Sequence, residues 1–156
     1  MRLRVIAVGT RMPVWVRSAC EEYLTRLAPH LNVALVEIEP GTRTASTPPA
    51  RAIAAEAQRL LAALRPAEHV VALDERGSQL STRELAAWLK TRMQEGTDVA
   101  FLIGGPDGLA PEVLGRSSFR WSLSRLTLPH AMVRVLLAEQ LYRAHSILAN
   151  HPYHRD

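Results

Sequence analysis

The chain holds one cysteine and one lysine, and each scarcity excludes something. Cys20 alone cannot form an intrachain disulfide or a cysteine-based zinc site. It sits in a helical pattern with no matched histidine–acid pair, which argues against a nucleophile. Lys90 is the only lysine among 19 basic residues, so the net charge of +4 is carried by arginine. That suits nucleic-acid contact, although a modest excess says nothing of the fold and equally reflects a genomic composition bias. Long apolar runs are missing too: nothing approaches the roughly 20 residues of a membrane span. Met1-Arg-Leu-Arg leads only into Val5 to Val8 and then Gly9, which is not a secretory signal. A soluble cytoplasmic protein is the expectation. The first strand ends Ala7-Val-Gly-Thr10 with a single glycine, so G-x-G-x-x-G is absent, as is G-x-x-x-x-G-K-[ST]. Nicotinamide enzymes and P-loop nucleotidases are therefore disfavoured. There is no internal repeat.

What is present centres on Phe101-Leu-Ile-Gly-Gly-Pro-Asp-Gly-Leu109. Val99 to Ile103 reads as a strand buried on both faces. It stops in Gly104, Gly105 and Gly108, with Pro106 between, which permits positive φ and close approach of backbone amides to a ligand. A glycine loop at the carboxyl end of a buried parallel strand is where open α/β sheets bind small molecules. A plain strand-to-helix turn is the alternative.

The 156 residues make one domain, 1–156, with ordinary globular composition. Apolar runs rich in valine and isoleucine recur at Leu3 to Val8, Val33 to Ile38, Val70 to Leu73 and Val99 to Ile103. Helical patterns lie between them. Val14 to Leu27 carries Val16, Tyr23, Leu24 and Leu27. Ala50 to Leu64 carries Ile53, Ala57, Leu60, Leu61 and Leu64. A third opens at Ser81-Thr-Arg-Glu84, which has capping-box spacing, and continues through Leu85, Trp88 and Leu89. Such alternation predicts a mostly parallel sheet flanked by helices, joined by right-handed crossovers. Gly41 to Pro49 reads as a mobile loop. Pro111 suits the first turn of a short helix reaching Arg116. Phe119, Trp121 and Leu123 alternate as in a strand, and Leu126 and Leu128 continue the pattern until Pro129. A long helix from Ala131 to Asn150 then presents Val133, Leu137, Leu141, Ala144 and Leu148 on one stripe.

The chain closes His151-Pro-Tyr-His-Arg-Asp156. His151 and His154, with His130 and His145 elsewhere and only Glu139 and Asp156 as nearby acids, fall short of the convergent set a metal needs. A tail rich in histidine, tyrosine and arginine offers hydrogen bonding, stacking and charge together, which suits an unstacked base; a solvated terminus is the plainer reading. Glu139 and Arg143, four apart on the helix, are readable as an ordinary surface pair, Arg134 as a solvated charge, and the Trp121 to Leu128 segment as core.

Four segments carry a family resemblance. Val-Ile-Ala-Val-Gly-Thr-Arg-Met-Pro (5–13), Ile-Gly-Gly-Pro-Asp-Gly-Leu (103–109), Trp-Ser-Leu-Ser-Arg-Leu-Thr-Leu-Pro-His (121–130) and Asn-His-Pro-Tyr-His-Arg (150–155) resemble the ribosomal RNA large subunit methyltransferase H family of the SPOUT class. The likeness covers essentially the whole chain; Glu39 to Arg65 is its anonymous part. It implies methyl transfer from S-adenosylmethionine to N3 of a pseudouridine in 23S rRNA, with no metal, in a homodimer whose cofactor lies in a C-terminal trefoil knot. Matched by motif, Leu73, Gly105, Leu123, Ser124, Arg125, Leu126, Thr127 and Leu128 would contact the cofactor. His154 and Glu139 are the candidates for taking the acceptor's proton or helping to, with Tyr153 and Arg155 shaping the pocket. The tail would reach the partner subunit's cofactor. Asp107 and Asp156 stand where the family often has glutamate. Two rivals remain: a SPOUT enzyme acting on tRNA or another rRNA base, and a non-catalytic RNA-binding assembly protein with a degenerate pocket.

Overall fold

Every apolar run becomes a strand, and every strand runs parallel to its neighbours. The computed structural model describes residues 1–155. Within them the order is β1 (Arg2–Val8), α1 (Val14–Leu27), β2 (Asn32–Ile38), α2 (Pro49–Ala63), β3 (His69–Gln79), α3 (Thr82–Glu95), β4 (Val99–Ile103), α4 (Pro111–Arg116), β5 (Phe119–Ser122) and α5 (His130–Leu148). One five-stranded sheet results, ordered β2-β1-β4-β3-β5. All of its pairings are parallel. Parallel neighbours need crossovers, and the helices supply them on both faces.

The period-2 alternation of strand side chains divides the core in two. Leu3, Val5 and Ala7 of β1, with Val99, Phe101 and Ile103 of β4, face α1, α3 and α5 through Leu27, Leu85, Leu89, Leu137 and Leu141. Ile6 and Val8, with Ala100 and Leu102, face α2 and α4 through Ala57, Leu60 and Val113. The steps from β1 to β2 and from β3 to β4 go the same way across the sheet, and both their helices lie on the first face. The two opposite steps, β2 to β3 and β4 to β5, carry α2 and α4 on the second face. A single crossover handedness demands that arrangement.

Local signals act where the sequence places them. Ser81 Oγ accepts from the Glu84 amide at 3.1 Å and the Glu84 carboxylate accepts from the Ser81 amide at 2.6 Å, completing the capping box. Gly96 closes α3 in the left-handed region at φ 67°. On α5, Leu137, Leu141 and Ala144 are fully buried, with Val133 and Leu148 packed beside them. Arg134 is not the solvated charge its sequence context suggests. It is buried, and donates to Glu37 Oε2 at 2.6 Å, to the Val8 carbonyl at 3.1 Å and to the Gly9 carbonyl at 2.7 Å. It therefore ties the start of α5 to the carboxyl end of β1.

Two boundaries differ from expectation. β3 runs to Gln79 rather than stopping at Leu73, because Leu73 and Ser78 both pair with Trp121 while Asp74 to Gly77 bulge out between them. A Cβ on Gly77 would sit 2.5 Å from the Arg120 carbonyl oxygen, so only glycine closes this bulge. β5 ends at Ser122 instead of alternating to Leu128. There the Leu126 amide donates to Ser124 Oγ at 3.0 Å, and Ser122 Oγ donates to the Ser124 carbonyl at 2.9 Å. These local serine bonds turn the chain out of the ladder.

Phe101 lies at the centre of the first core face, fully buried, between Trp88 at 6.1 Å and Trp121 at 6.3 Å between ring centroids. Phe101→Ala should lower the unfolding free energy by about 3–5 kcal/mol, the cost of a large aromatic cavity. A urea titration with the midpoint lowered and the slope unchanged is the expected result; a loss below 1 kcal/mol would mean that this face is not the principal core.

Candidate functional site

Because all strands are parallel, their carboxyl ends share one edge, and a cleft of about 910 Å³ opens there. That is the size of a small-molecule site. Three segments build it. The first is the glycine turn after β4. Gly108 donates to the Gly105 carbonyl at 3.1 Å, and Gly108 takes φ +79°. Pro106 at the second position and Gly108 at the fourth suit a type I turn. A Cβ on Gly104 would lie 2.7 Å from the Gly108 carbonyl group, so the turn closes on bare backbone. The second segment is the loop after β5, from which Leu123, Leu126, Thr127 and Leu128 line the cleft, Leu126 being 71% exposed. The third is the β3 bulge, with Leu73, Asp74, Glu75 and Arg76 at the rim.

Of the residues expected here, Leu73, Gly105, Leu123, Leu126, Thr127 and Leu128 stand on the cleft wall. Ser124 and Arg125 do not. Ser124 spends its hydroxyl folding the loop, and Arg125 is exposed away from the cavity. A Cβ on Gly105 would point at Val8 Cγ1, 3.2 Å away, and Glu56 Oε1, 3.3 Å away, rather than into open space. Gly105 is thus pressed against the protein behind the cleft. Sequence reasoning missed Asp74, Glu75, Arg76, Arg120, Trp121 and His130 in the wall. The Asp-Glu-Arg-Gly tetrapeptide, a turn signal directly after an apolar run, was the available sign. The start of the Gly41 to Pro49 loop is tied down, since Gly41 and Arg43 bond to Glu56, and Arg43 also bonds to Asp107.

The cleft has a mixed character. Leu73, Leu123, Leu126 and Leu128 give it apolar walls, and the glycine turn offers backbone groups. Trp121 Nε1 and His130 Nδ1, on two wall residues, are buried with no partner in the protein. Buried polar atoms without partners call for a ligand or water. A flat heterocycle carrying hydrogen-bonding edges fits the apolar walls and the backbone groups of the turn.

A second constellation forms on the outer side of α5. Asn150 takes φ 56°, the His151 amide donates to the Ser146 carbonyl at 2.9 Å, and the Asn150 amide donates to the Ile147 carbonyl at 3.2 Å. This is a Schellman close with asparagine in the left-handed position. It reverses the chain and lays the tail back on the helix. Tyr153 Oη donates to Glu139 Oε1 at 3.1 Å, and its ring meets Tyr142 edge-on at 4.7 Å and the Arg143 guanidinium at 4.6 Å. Arg143 donates from Nε to Glu139 at 2.7 Å and approaches His154 Nδ1 at 3.4 Å. Glu139 and Arg143, a surface pair in the plainest reading, are mostly buried beneath the tail. Burial, a hydrogen bond with Tyr23 and the Glu139 charge raise the Tyr153 phenol well above its ordinary value, so it stays protonated and donates. Glu139, Tyr153 and His154 are therefore brought together. Arg155 is exposed, and Asp156 lies outside the described residues. None of Glu139, Tyr153, His154 and Arg155 lines the cleft of their own chain. Among the described residues, no group of three or more histidines, cysteines or acids is placed to hold a metal ion, and no helix is long and apolar enough to cross a membrane.

Comparison with known proteins agrees with this geometry. Residues 1–154 match the family described as predicted SPOUT methyltransferase. Ribosomal RNA large subunit methyltransferase H of Chromohalobacter salexigens is 56% identical over 155 residues, covering 99% of this chain and 100% of the relative. A solved protein from Bordetella pertussis, described as a probable methyltransferase, shares the fold with a TM-score of 0.60 at 22% identity, covering 92% of this chain and 93% of that one. A Legionella pneumophila methyltransferase solved with bound SAM has a TM-score of 0.51 at 8% identity, covering 93% of this chain and 66% of its own.

The cleft histidine has a pH consequence. Burial, then the nearby Arg134 and Arg43 charges, lower His130 below 6.5. Burial does the same to His69, with help from Arg92, and to His145, with help from His30. Unfolding frees all three to bind protons near 6.5, so below that value the unfolded state takes up protons the native state refuses. Stability should be level above about pH 7 and fall as the pH drops below 6.5, towards the lowered native values. Nuclear magnetic resonance titration of the histidine Cε1 protons should show three midpoints under 6.5; an ordinary midpoint for His130 would mean that its ring is not buried in the cleft wall.

Proposed function

The chain belongs to the ribosomal RNA large subunit methyltransferase H family of SPOUT methyltransferases, and from that premise we propose that it methylates N3 of a pseudouridine in 23S rRNA, with S-adenosylmethionine as donor. The observation that carries the reading is the cleft of glycine turn and leucine walls at the carboxyl edge of the sheet. Leu73, Leu126 and Leu128 would sandwich the adenine, and backbone groups of Gly105 and of Leu123 to Leu128 would read its edge. The bound donor supplies a methyl carbon already activated by its sulfonium. The protein's work is then to align that carbon with the acceptor nitrogen and to remove the N3 proton.

The tail residues suit the second task. Glu139 is committed to organising them, because its oxygens receive Tyr153 Oη, Arg143 and Gln140. In this reading proton acceptance falls to His154, while Tyr153 and Arg155 hold the uracil ring and the backbone around it. Since these residues stand away from their own chain's cleft, they act on the cleft of a second copy. That makes the working unit a homodimer, with α5 in the interface, and the reading includes a trefoil knot around the cofactor and a cytoplasmic location.

Three measurements test it. Calorimetry should show S-adenosylmethionine binding without added metal. His154→Ala should keep that affinity while slowing methyl transfer to rRNA by about 100-fold or more and removing a limb of the pH–rate profile. Arg155→Ala should mainly weaken RNA binding and flatten its salt dependence. Transfer to tRNA but not rRNA would replace the substrate assignment; wild-type transfer by His154→Ala would remove the tail from the active site.

The dimer has its own test. Met132, Val135, Leu136 and Tyr142 of α5 are only part-buried in the single chain, and Trp15 and Val14 at the start of α1 are 55% and 68% exposed. Such an apolar surface belongs in an interface. Light scattering at micromolar concentration should give twice the chain mass, and a monomer would refute the composite site.

A further inference from the structure

Glu56 is a buried carboxylate that no step above uses. It lies on the inner face of α2, 2% exposed. A charge so placed must be paired. Its partners come from the connection between β2 and α2. The Gly41 amide donates to Oε2 at 2.9 Å. Arg43 donates from Nη1 to Oε2 at 2.6 Å and from Nη2 to Oε1 at 3.2 Å. The connection is held flat on the helix, since a Cβ on Gly41 would lie 2.4 Å from the Ala52 carbonyl oxygen. From its remaining edge the same guanidinium donates Nε to Asp107 Oδ2 at 2.9 Å. Asp107 belongs to the glycine turn. Glu56 reaches that turn as well, because its Oε1 stands 3.3 Å from where a Gly105 Cβ would be. Neither Arg43 nor Glu56 lines the cleft.

We infer that Arg43 and Glu56 are positioning residues for the methyl donor: the Arg43 fork, anchored on Glu56, holds the Gly105–Gly108 turn in its binding conformation through Asp107. The inference rests on the reading that the cleft binds S-adenosylmethionine. Its logic is conformational. Glycines leave a turn many shapes, and a ligand that must order it binds weakly. A tether fixed to a buried carboxylate supplies that order beforehand. Arginine suits the task because its donors point along different edges of one rigid plane, which a lysine ammonium cannot match.

Calorimetry with S-adenosylmethionine on wild type, Arg43→Ala, Asp107→Ala and the double variant decides the matter, with thermal unfolding alongside. Asp107→Ala cuts the link and leaves the buried pair whole, so its melting temperature should stay at the wild-type value while affinity falls. Arg43→Ala should weaken binding by about tenfold, and the double variant should bind no more weakly than Arg43→Ala, because both changes remove one link. Arg43→Lys should recover melting temperature but not affinity. In steady state, KM for the donor should rise with kcat nearly unchanged. Folded Arg43→Ala and Asp107→Ala with wild-type affinity would overturn the inference. So would a double variant whose loss is the product of the single losses, since Asp107 would then contact the donor independently. Failure of the wild type to bind S-adenosylmethionine would defeat the cofactor reading itself.

Discussion

The all-parallel sheet is the constraint from which the rest follows. Parallel neighbours cannot be joined by tight turns, so each connection crosses a face and buries it. Both faces of β1 and β4 are consequently dry, and their residues from Val5 to Val8 and Val99 to Ile103 are nearly all inaccessible. All five strands end on one side. The connections leaving those ends are therefore the segments free to depart from regular structure. The glycine turn and the loop after β5 are two such departures, and with the bulge inside β3 they enclose the cleft.

Most of this architecture was legible because it rests on local periodicity. Alternation separates the two core faces of β1 and β4, and the capping box at Ser81 marks α3 to the residue. What escaped depends on contacts distant in sequence. The bulge at Asp74 exists because Leu73 and Ser78 compete for the same partner, Trp121, nearly 50 positions on. The end of β5 is set by two serine hydroxyls that outcompete the ladder, where hydrophobic alternation alone points to further strand. The Gly41 connection reads as mobile from its composition, and the tie of Gly41 and Arg43 to Glu56, a charge inside an otherwise apolar helical stripe, was not legible there. In the cleft, the wall leucines were recoverable from motif, whereas Trp121 and His130 become visible as wall residues only once strands and helix are assembled.

The tail teaches a related lesson. Beyond Pro152, four polar and aromatic residues would ordinarily fray. Asn150 prevents this by accepting a left-handed conformation that reverses the chain, and Tyr153 then finds a ring, a guanidinium and a carboxylate within reach. The resulting cluster is held together by contacts within the chain itself. In the proposed reading this matters, because side chains fixed in advance would lose little freedom on meeting a reacting base.

The scarcity of lysine also acquires a structural meaning. Surface charge for RNA could be carried by either basic residue, but four arginines here do what lysine cannot. Arg4 grips Glu68 with Nε and Nη2, both at 2.6 Å, and the Ala63 carbonyl besides. Arg134 spans a carboxylate and two carbonyls across three elements. Arg43 joins a helix to a turn, and Arg143 joins Glu139 to the tail. In each case one planar group serves several partners at once, and for Arg4 and Arg134 it does so where water is largely excluded. An ammonium at those two buried positions would leave acceptors unmet, at a cost of about 1–3 kcal/mol each. The positive charge of this chain thus divides into two populations: an exposed set available to a polyanion, and an inner set whose forks fasten α5 to the sheet, the tail to α5 and the glycine turn to α2.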